Sequence, residues 1–192
     1  MKVEILDEKR VFDGFFKINQ ATLRHERFNG QMSATMTRLN FERGDAVAAL
    51  LWNAETGRVL LTKQFRYPAH TKGHAWMVEA IAGTLKEGED PAEAMQRELL
   101  EETGYQAPSL QWLQTFFVSP GGTSERIFLF FAEVRLADKV AAGGGLEQEH
   151  EDIALVEWTP GELADALRSG VLCDAKTIIA AQWFLQQYPP LP

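Results

Sequence analysis

Three glutamates, Glu98, Glu101 and Glu102, fall within five consecutive residues, and carboxylates so close together can ligate hard divalent cations or exchange protons. Their arrangement depends on the backbone that carries them. Asp90, Pro91 and Glu93 read as a helix start: an N-cap, a proline where its missing N–H costs nothing, and an acid that closes a capping box. Gly104 reads as the stop. At about 100° per residue, with Glu98 at zero, Glu101 falls near ~300° and Glu102 near ~40°. The three acids therefore share about a third of the helix surface. Ala92, Met95 and Leu99 lie beside that arc and predict its anchor to a core, with Leu100 also assigned to the interior. Like charges at this spacing weaken a helix unless a cation neutralises them, and the simplest such cation is Mg²⁺ or Mn²⁺. The plain alternative is a solvated acidic face, the usual meaning of a charge run.

The elements around this helix come from composition and pattern. With 192 residues, 45% of them hydrophobic, the chain can bury a substantial core. A net charge of −8 without a basic run speaks against nucleic acid as a partner. There is no eighteen-residue apolar run and no signal-peptide pattern, which predicts no membrane partner, and the single cysteine, Cys173, fits a reducing, cytoplasmic setting. Residues 2–41 read as extended segments with a hairpin turn at Asn29-Gly30. Residues 46–52 and 58–65 form a second strand pair, apolar enough for burial on both faces. A polar loop over 67–75 and a short strand over 76–81 lead to Gly83. Further strands are predicted over 111–118, 126–134 and 153–159, and helices over 160–169 and from Asp174 to Pro189. Residues 136–151, with a triple glycine at 143–145 and an acidic end, read as a mobile loop. Trp52, Trp112, Trp158 and Trp183 are most simply core, and the four histidines show no ligand spacing.

Gly83, Glu89, Arg97, Glu98, Leu99, Glu101, Glu102, Gly104 and Tyr105 occupy nine specified positions at fixed spacing. That pattern resembles the Nudix box, departing only in the aromatic at the last, usually aliphatic, place. The resemblance implies an α/β fold: an αβα sandwich with a mixed sheet, here the catalytic domain over 44–192, preceded by a small antiparallel β region over 1–43. It also implies metal-dependent hydrolysis of a nucleoside diphosphate derivative. The matching metal ligands are the backbone carbonyl of Ala82, Glu98 and Glu102, with Glu101 available to a further ion, and Arg97 braces loop and helix through Glu89.

Pro120, in the segment Ser119 to Arg126, lies sixteen residues beyond Gly104, an offset resembling the ADP-ribose pyrophosphatase branch of that superfamily. The segments Phe28 to Ser33, Phe41 to Gly44, Gln64 to Arg66, Trp76 to Gly83 and Glu149 to Ile153 carry the same likeness. By this match Arg66 contacts substrate phosphates, Glu125 the terminal ribose, and Phe28 the adenine held by a partner subunit. On the late loop, Glu149 is the expected general base and Glu151 a metal-associated acid. The resemblance further implies a homodimer with an exchanged N-terminal region. GDP-mannose is the rival substrate. A non-catalytic nucleotide-binding module is the rival of a different class, and the intact box acids speak against it.

Overall fold

The computed structural model describes residues 1–190, apart from the side chain at position 149. Two compact units emerge: residues 1–45 together with Phe117–Arg126, and Ala46–Phe116 together with residues 127 onward.

The first unit is a three-stranded antiparallel sheet, β1 (Val3–Asp13), β2 (Lys17–His25) and β3 (Met36–Glu42), in the order β1-β2-β3. The Asn29-Gly30 turn forms, with Arg27 N–H donating to Gln31 O at 2.8 Å. It does not join the strands directly. Regular β2–β3 pairing ends at Leu23 opposite Met36, and the turn sits in the longer connection between them, fastened by an isolated bridge from Glu26 to Met32. The Ser119–Arg126 segment is stitched to the end of β3: Phe41 N–H donates to Gly122 O at 2.9 Å, and Thr123 Oγ1 donates to Phe41 O at 2.8 Å. Val3, Ile5, Leu6, Val11, Phe12 and Phe15 are exposed.

The second unit is built on β4 (Ala46–Asn53), β5 (Arg58–Phe65), β6 (Trp76–Glu79), β7 (Ile81–Thr84), β8 (Gln111–Phe117), β9 (Arg126–Val134) and β10 (Ala154–Trp158). These make one mixed sheet in the order β10-β5-β4-β9-β8, with β6 added to β5 and β7 to β4. β4 and β9 run parallel, and the other registers given by the ladder are antiparallel. β4 pairs with β5 only over Leu51–Asn53, and then the two strands splay. β6 and β7 fill the fork, and the chain changes partner at the single residue Ala80. A short helical turn, α1 (Tyr67–His70), stands where a loop was expected.

Period-two alternation along β4 explains the layers. Val47, Ala49 and Leu51 face a core shared with Met95 and Leu99 of α2 (Pro91–Thr103). Ala48 and Leu50 face the opposite core, shared with Leu163 of α3 (Pro160–Ser169) and with Ala180, Ala181 and Phe184 of α4 (Ala175–Gln187). Burial on both faces thus accounts for the unbroken apolar run in the strand, and the result is the αβα sandwich. Trp112 corrects the expectation of an apolar core residue: it is 57% exposed, because β8 is the sheet's edge strand and presents this face outward. Among the described residues no helix is long and apolar enough to cross a membrane.

Candidate active site

The acid helix α2 begins where Asp90 Oδ1 accepts the backbone N–H groups of Ala92 at 2.8 Å and Glu93 at 3.2 Å, satisfying donors that the first turn leaves open. Met95 and Leu99 are fully buried, so the helix cannot rotate about its axis without losing its core. That locks Glu98 and Glu101 half-buried and Glu102 buried along one edge. Leu100 is a correction to the expected interior pair: two positions round the wheel from Glu98, it lies outside the core-facing arc and is exposed.

Arg97 gathers the acids of loop and helix. Its Nε donates to Glu89 Oε1 at 3.1 Å and its Nη2 to Glu89 Oε2 at 3.3 Å, while Nη1 donates to Glu98 Oε1 at 2.7 Å and Glu101 Oε2 at 3.3 Å. The loop carboxylate is anchored in turn by Lys86 N–H at 3.0 Å. Arg97 bonding holds the Glu89 carboxyl below the usual range, and the Glu89 carboxylate raises the Arg97 guanidinium further above neutrality.

Glu102 is the electrostatic extreme. Burial first, then the charges of Glu98 and Glu151, push its carboxyl up to about 8, against a backbone hydrogen bond from Ala82 and the charge of Arg66. Glu102 Oε2 is buried without a hydrogen-bond partner, an arrangement native structures rarely leave unexplained. Burial also raises Glu98, opposed by its bond to Arg97. Gly83, on the neighbouring β7, is required by close approach: a Cβ there would run into the Glu98 carboxylate. Among the described residues no three acid, histidine or cysteine side chains already stand in a coordinating arrangement, and Glu98 and Glu101 are both bonded to Arg97. The donor set nevertheless suits a hard cation, with carboxylates clustered against the cost of burial and mutual repulsion and one buried oxygen left unsatisfied.

The late glycine run, expected as part of a mobile loop, is hydrogen-bonded to the acid helix. Gly144 N–H donates to Glu102 O at 2.8 Å and Gly145 N–H to Glu101 O at 3.0 Å, capping the carbonyls that end α2. All three glycines have positive φ, and a Cβ on Gly145 would press on the side chain of Glu151. The loop is thereby docked backbone to backbone on the acid helix. Glu151 Oε2 accepts Leu146 N–H at 3.0 Å, and Glu151 is near enough to raise both Glu98 and Glu102. Glu149, the expected base, lies outside the described residues as far as its side chain is concerned.

Arg66, at the end of β5, donates from Nε to Glu79 Oε2 at 2.8 Å, and it reaches far enough to act on Glu102. The remaining candidates belong to the first unit. Phe28 sits in the turn before Asn29 and is 100% exposed. Pro120 lies in the tight turn closed by Gly122 N–H to Ser119 O at 3.0 Å. Glu125 is buried and 3.6 Å from the Arg43 guanidinium. Within that unit a polar cavity of about 390 Å³ is lined by Glu42, Gly44, Asp45, Phe117, Ser124 and Arg126. Ser124 Oγ donates to Glu42 Oε2 at 2.5 Å, and this bond above all holds the Glu42 carboxyl below its ordinary value. Glu42 and Ser124 were legible only as parts of short resembling segments.

Residues 42–180 match the family model described as the NUDIX domain. The chain is 35% identical over 184 residues to "ADP-ribose pyrophosphatase" of Escherichia coli strain K12, covering 94% of this chain and 87% of the relative. It is 33% identical over 184 residues to "GDP-mannose pyrophosphatase" of Cronobacter sakazakii, covering 95% and 94%. A solved structure titled "Crystal structure of ADP compounds hydrolase" superposes with a TM-score of 0.74 over 100% of this chain and 98% of its own, at 21% identity, a likeness of fold. The matched span contains the capped acid helix, its arginine hub and the glycine-floored loop before it, and on this ground the chain belongs to the NUDIX family.

Proposed function

We propose that the protein hydrolyses the diphosphate of ADP-ribose to AMP and ribose 5-phosphate. Water adds to one phosphorus, the P–O–P bridge breaks, and the water's proton passes to a carboxylate. The observation that carries this reading is the buried, unsatisfied oxygen of Glu102, a carboxyl that Glu98 and Glu151 lie near enough to raise. A bound Mg²⁺, for which Mn²⁺ can substitute, held by Glu98, Glu102, Glu151 and the Ala82 carbonyl with Glu101 open to a further ion, would shield the diphosphate's charge and acidify a water. Arg97 braces the acids, Arg66 binds the phosphates, and Glu149 accepts the proton. Glu125 holds the terminal ribose, Pro120 shapes the loop that carries it, and Phe28 stacks on the adenine of a partner subunit. The exposed apolar side chains of β1 support a homodimer with an exchanged N-terminal region, and the lone cysteine supports a cytoplasmic setting.

GDP-mannose hydrolysis is the second reading, because relatives carrying that name match at 33% identity over nearly the whole chain. The test is a panel of nucleoside diphosphate sugars assayed with Mg²⁺ at equal concentration. ADP-ribose is expected to turn over fastest. Faster release of GMP from GDP-mannose would reassign the substrate, and hydrolysis of no member of the panel would overturn the enzymatic reading.

A further inference from the structure

Glu79 closes β6 and is 5% exposed, and two cations share its carboxylate. Lys176 Nζ donates to Oε1 at 2.9 Å and Arg66 Nε to Oε2 at 2.8 Å. Lys176, itself 8% exposed, also lies 3.1 Å from Asp174 Oδ2. Asp174 caps α4 by accepting Thr177 N–H at 3.0 Å and Thr177 Oγ1 at 2.6 Å, and that hydroxyl accepts Ala80 N–H at 2.7 Å. The first turn of α4 is thus pinned to the residue where the chain leaves β6 for β7.

A buried ionic cluster is a poor way to gain stability, because desolvation consumes much of the attraction and apolar residues of similar volume serve as well. The three side chains are also unequal. Glu79 and Lys176 are sealed in, whereas the Arg66 side chain is 40% exposed. Glu79 engages it at Nε, which leaves the terminal Nη nitrogens, the pair that suits two oxygens of a phosphate, outside that bond. The influence of Arg66 on Glu102 places that charge on the side of the acid cluster.

We propose that Glu79 and Lys176 are positioning residues for substrate binding: Lys176 fixes one oxygen of the Glu79 carboxylate inside the fold, and Glu79 holds Arg66 by its Nε through the other, so that the Nη edge of Arg66 meets the diphosphate. The inference rests on the reading of the site as a diphosphate hydrolase. A merely structural staple would affect stability, whereas a positioning pair affects anion binding through Arg66.

The test compares wild type, E79Q, R66K and the double variant. Steady-state kinetics on ADP-ribose are combined with calorimetric titration, in Mg²⁺, by methylenediphosphonate, a diphosphate analogue whose P–C–P bridge resists hydrolysis. R66K keeps a charge at a partly exposed position but cannot serve Glu79 and a phosphate together, so it is expected to fold whatever E79Q does. Each single variant is expected to raise KM and the analogue's Kd about 10-fold, with kcat changed less than about 3-fold, typical of losing one charge-assisted hydrogen bond. The double variant is expected to match R66K alone, since both remove the same arrangement. Losses that multiply in the double variant, or an E79Q with a lowered melting temperature and unchanged analogue Kd, would overturn the proposal. If wild type binds the analogue without cleaving ADP-ribose, the hydrolase reading fails while the analogue series still judges the clamp. If wild type binds no diphosphate, the clamp fails as well.

Discussion

Replacing Glu102 by glutamine should stabilise the metal-free protein at alkaline pH while destroying its metal response. The folded-state carboxyl titrates at about 8 against an ordinary 4.5. A raised folded pKa means that the stability of the protonated form is fully present below about pH 4.5 and is lost as pH rises toward 8. Each unit of difference is worth about 1.4 kcal/mol, so between pH 5.5 and 8 this one group costs the wild type about 3 kcal/mol. Glutamine imitates the protonated state and does not titrate. Any fixed cost of its buried amide cancels when the two pH values are compared. For a chain of this size about 3 kcal/mol corresponds to roughly 6–12 °C in Tm. Thermal unfolding in a chelator should therefore show E102Q gaining that much on wild type from pH 5.5 to pH 8. Added Mg²⁺ at pH 8 should raise the Tm of wild type and leave E102Q nearly unmoved. A wild-type-to-variant difference independent of pH would refute the reasoning, since it would mean that Glu102 is not held as a buried, crowded acid.

Three further outcomes follow from the same geometry. E98Q should lower kcat on ADP-ribose on the order of 10²-fold through lost metal binding, and an activity near wild type in a saturating-substrate assay would remove Glu98 from the site. G145A, which puts a Cβ onto the Glu151 side chain at a φ of +86°, should cost about 1–3 kcal/mol in chemical denaturation and weaken Mn²⁺ binding read by electron paramagnetic resonance; unchanged Mn²⁺ affinity would show that the docked loop does not place Glu151. Light scattering should give a dimer mass for the full chain and a monomer for the I5E/F12E double variant, and a monomeric wild type would end the exchanged-dimer reading. Substitution is preferable to truncation there, because removing β3 would strip the Ser119–Arg126 segment of its backbone partners.

The acid helix was legible because its signals are local. Asp90, Pro91 and Gly104 act within one turn of themselves, and the wheel angles of Glu98, Glu101, Glu102, Met95 and Leu99 follow from helical period alone. The two-faced burial of β4 was legible for the same reason. What escaped depends on partners distant in sequence. Trp112 looks like a core residue until the strand order makes β8 an edge. The glycines at 143–145 carry no side chain to advertise a contact, yet the backbone N–H groups of Gly144 and Gly145 find the carbonyls of Glu102 and Glu101. Nothing local to Lys176 marks it. Only the fold, by bringing β6 beneath α4, makes it the counterion of Glu79.

The parallel register of β4 with β9 has a consequence in time. It joins Ala46 to Ile127, Ala48 to Leu129 and Leu50 to Phe131, so the centre of the sheet closes only after the intervening chain, including all of α2, has been looped out at an entropic cost. Met95 and Leu99 then pack on a surface that β4 and Phe130 of β9 complete together. Glu98 and Glu102 share a face as soon as α2 forms, but Glu151 has no reason to join them before that closure, and until then like charge favours keeping it apart. A divalent ion should accordingly act late: refolding in stopped-flow fluorescence should proceed at the same rate with or without Mg²⁺, while unfolding slows in its presence. The metal would prolong the folded state without hastening its formation.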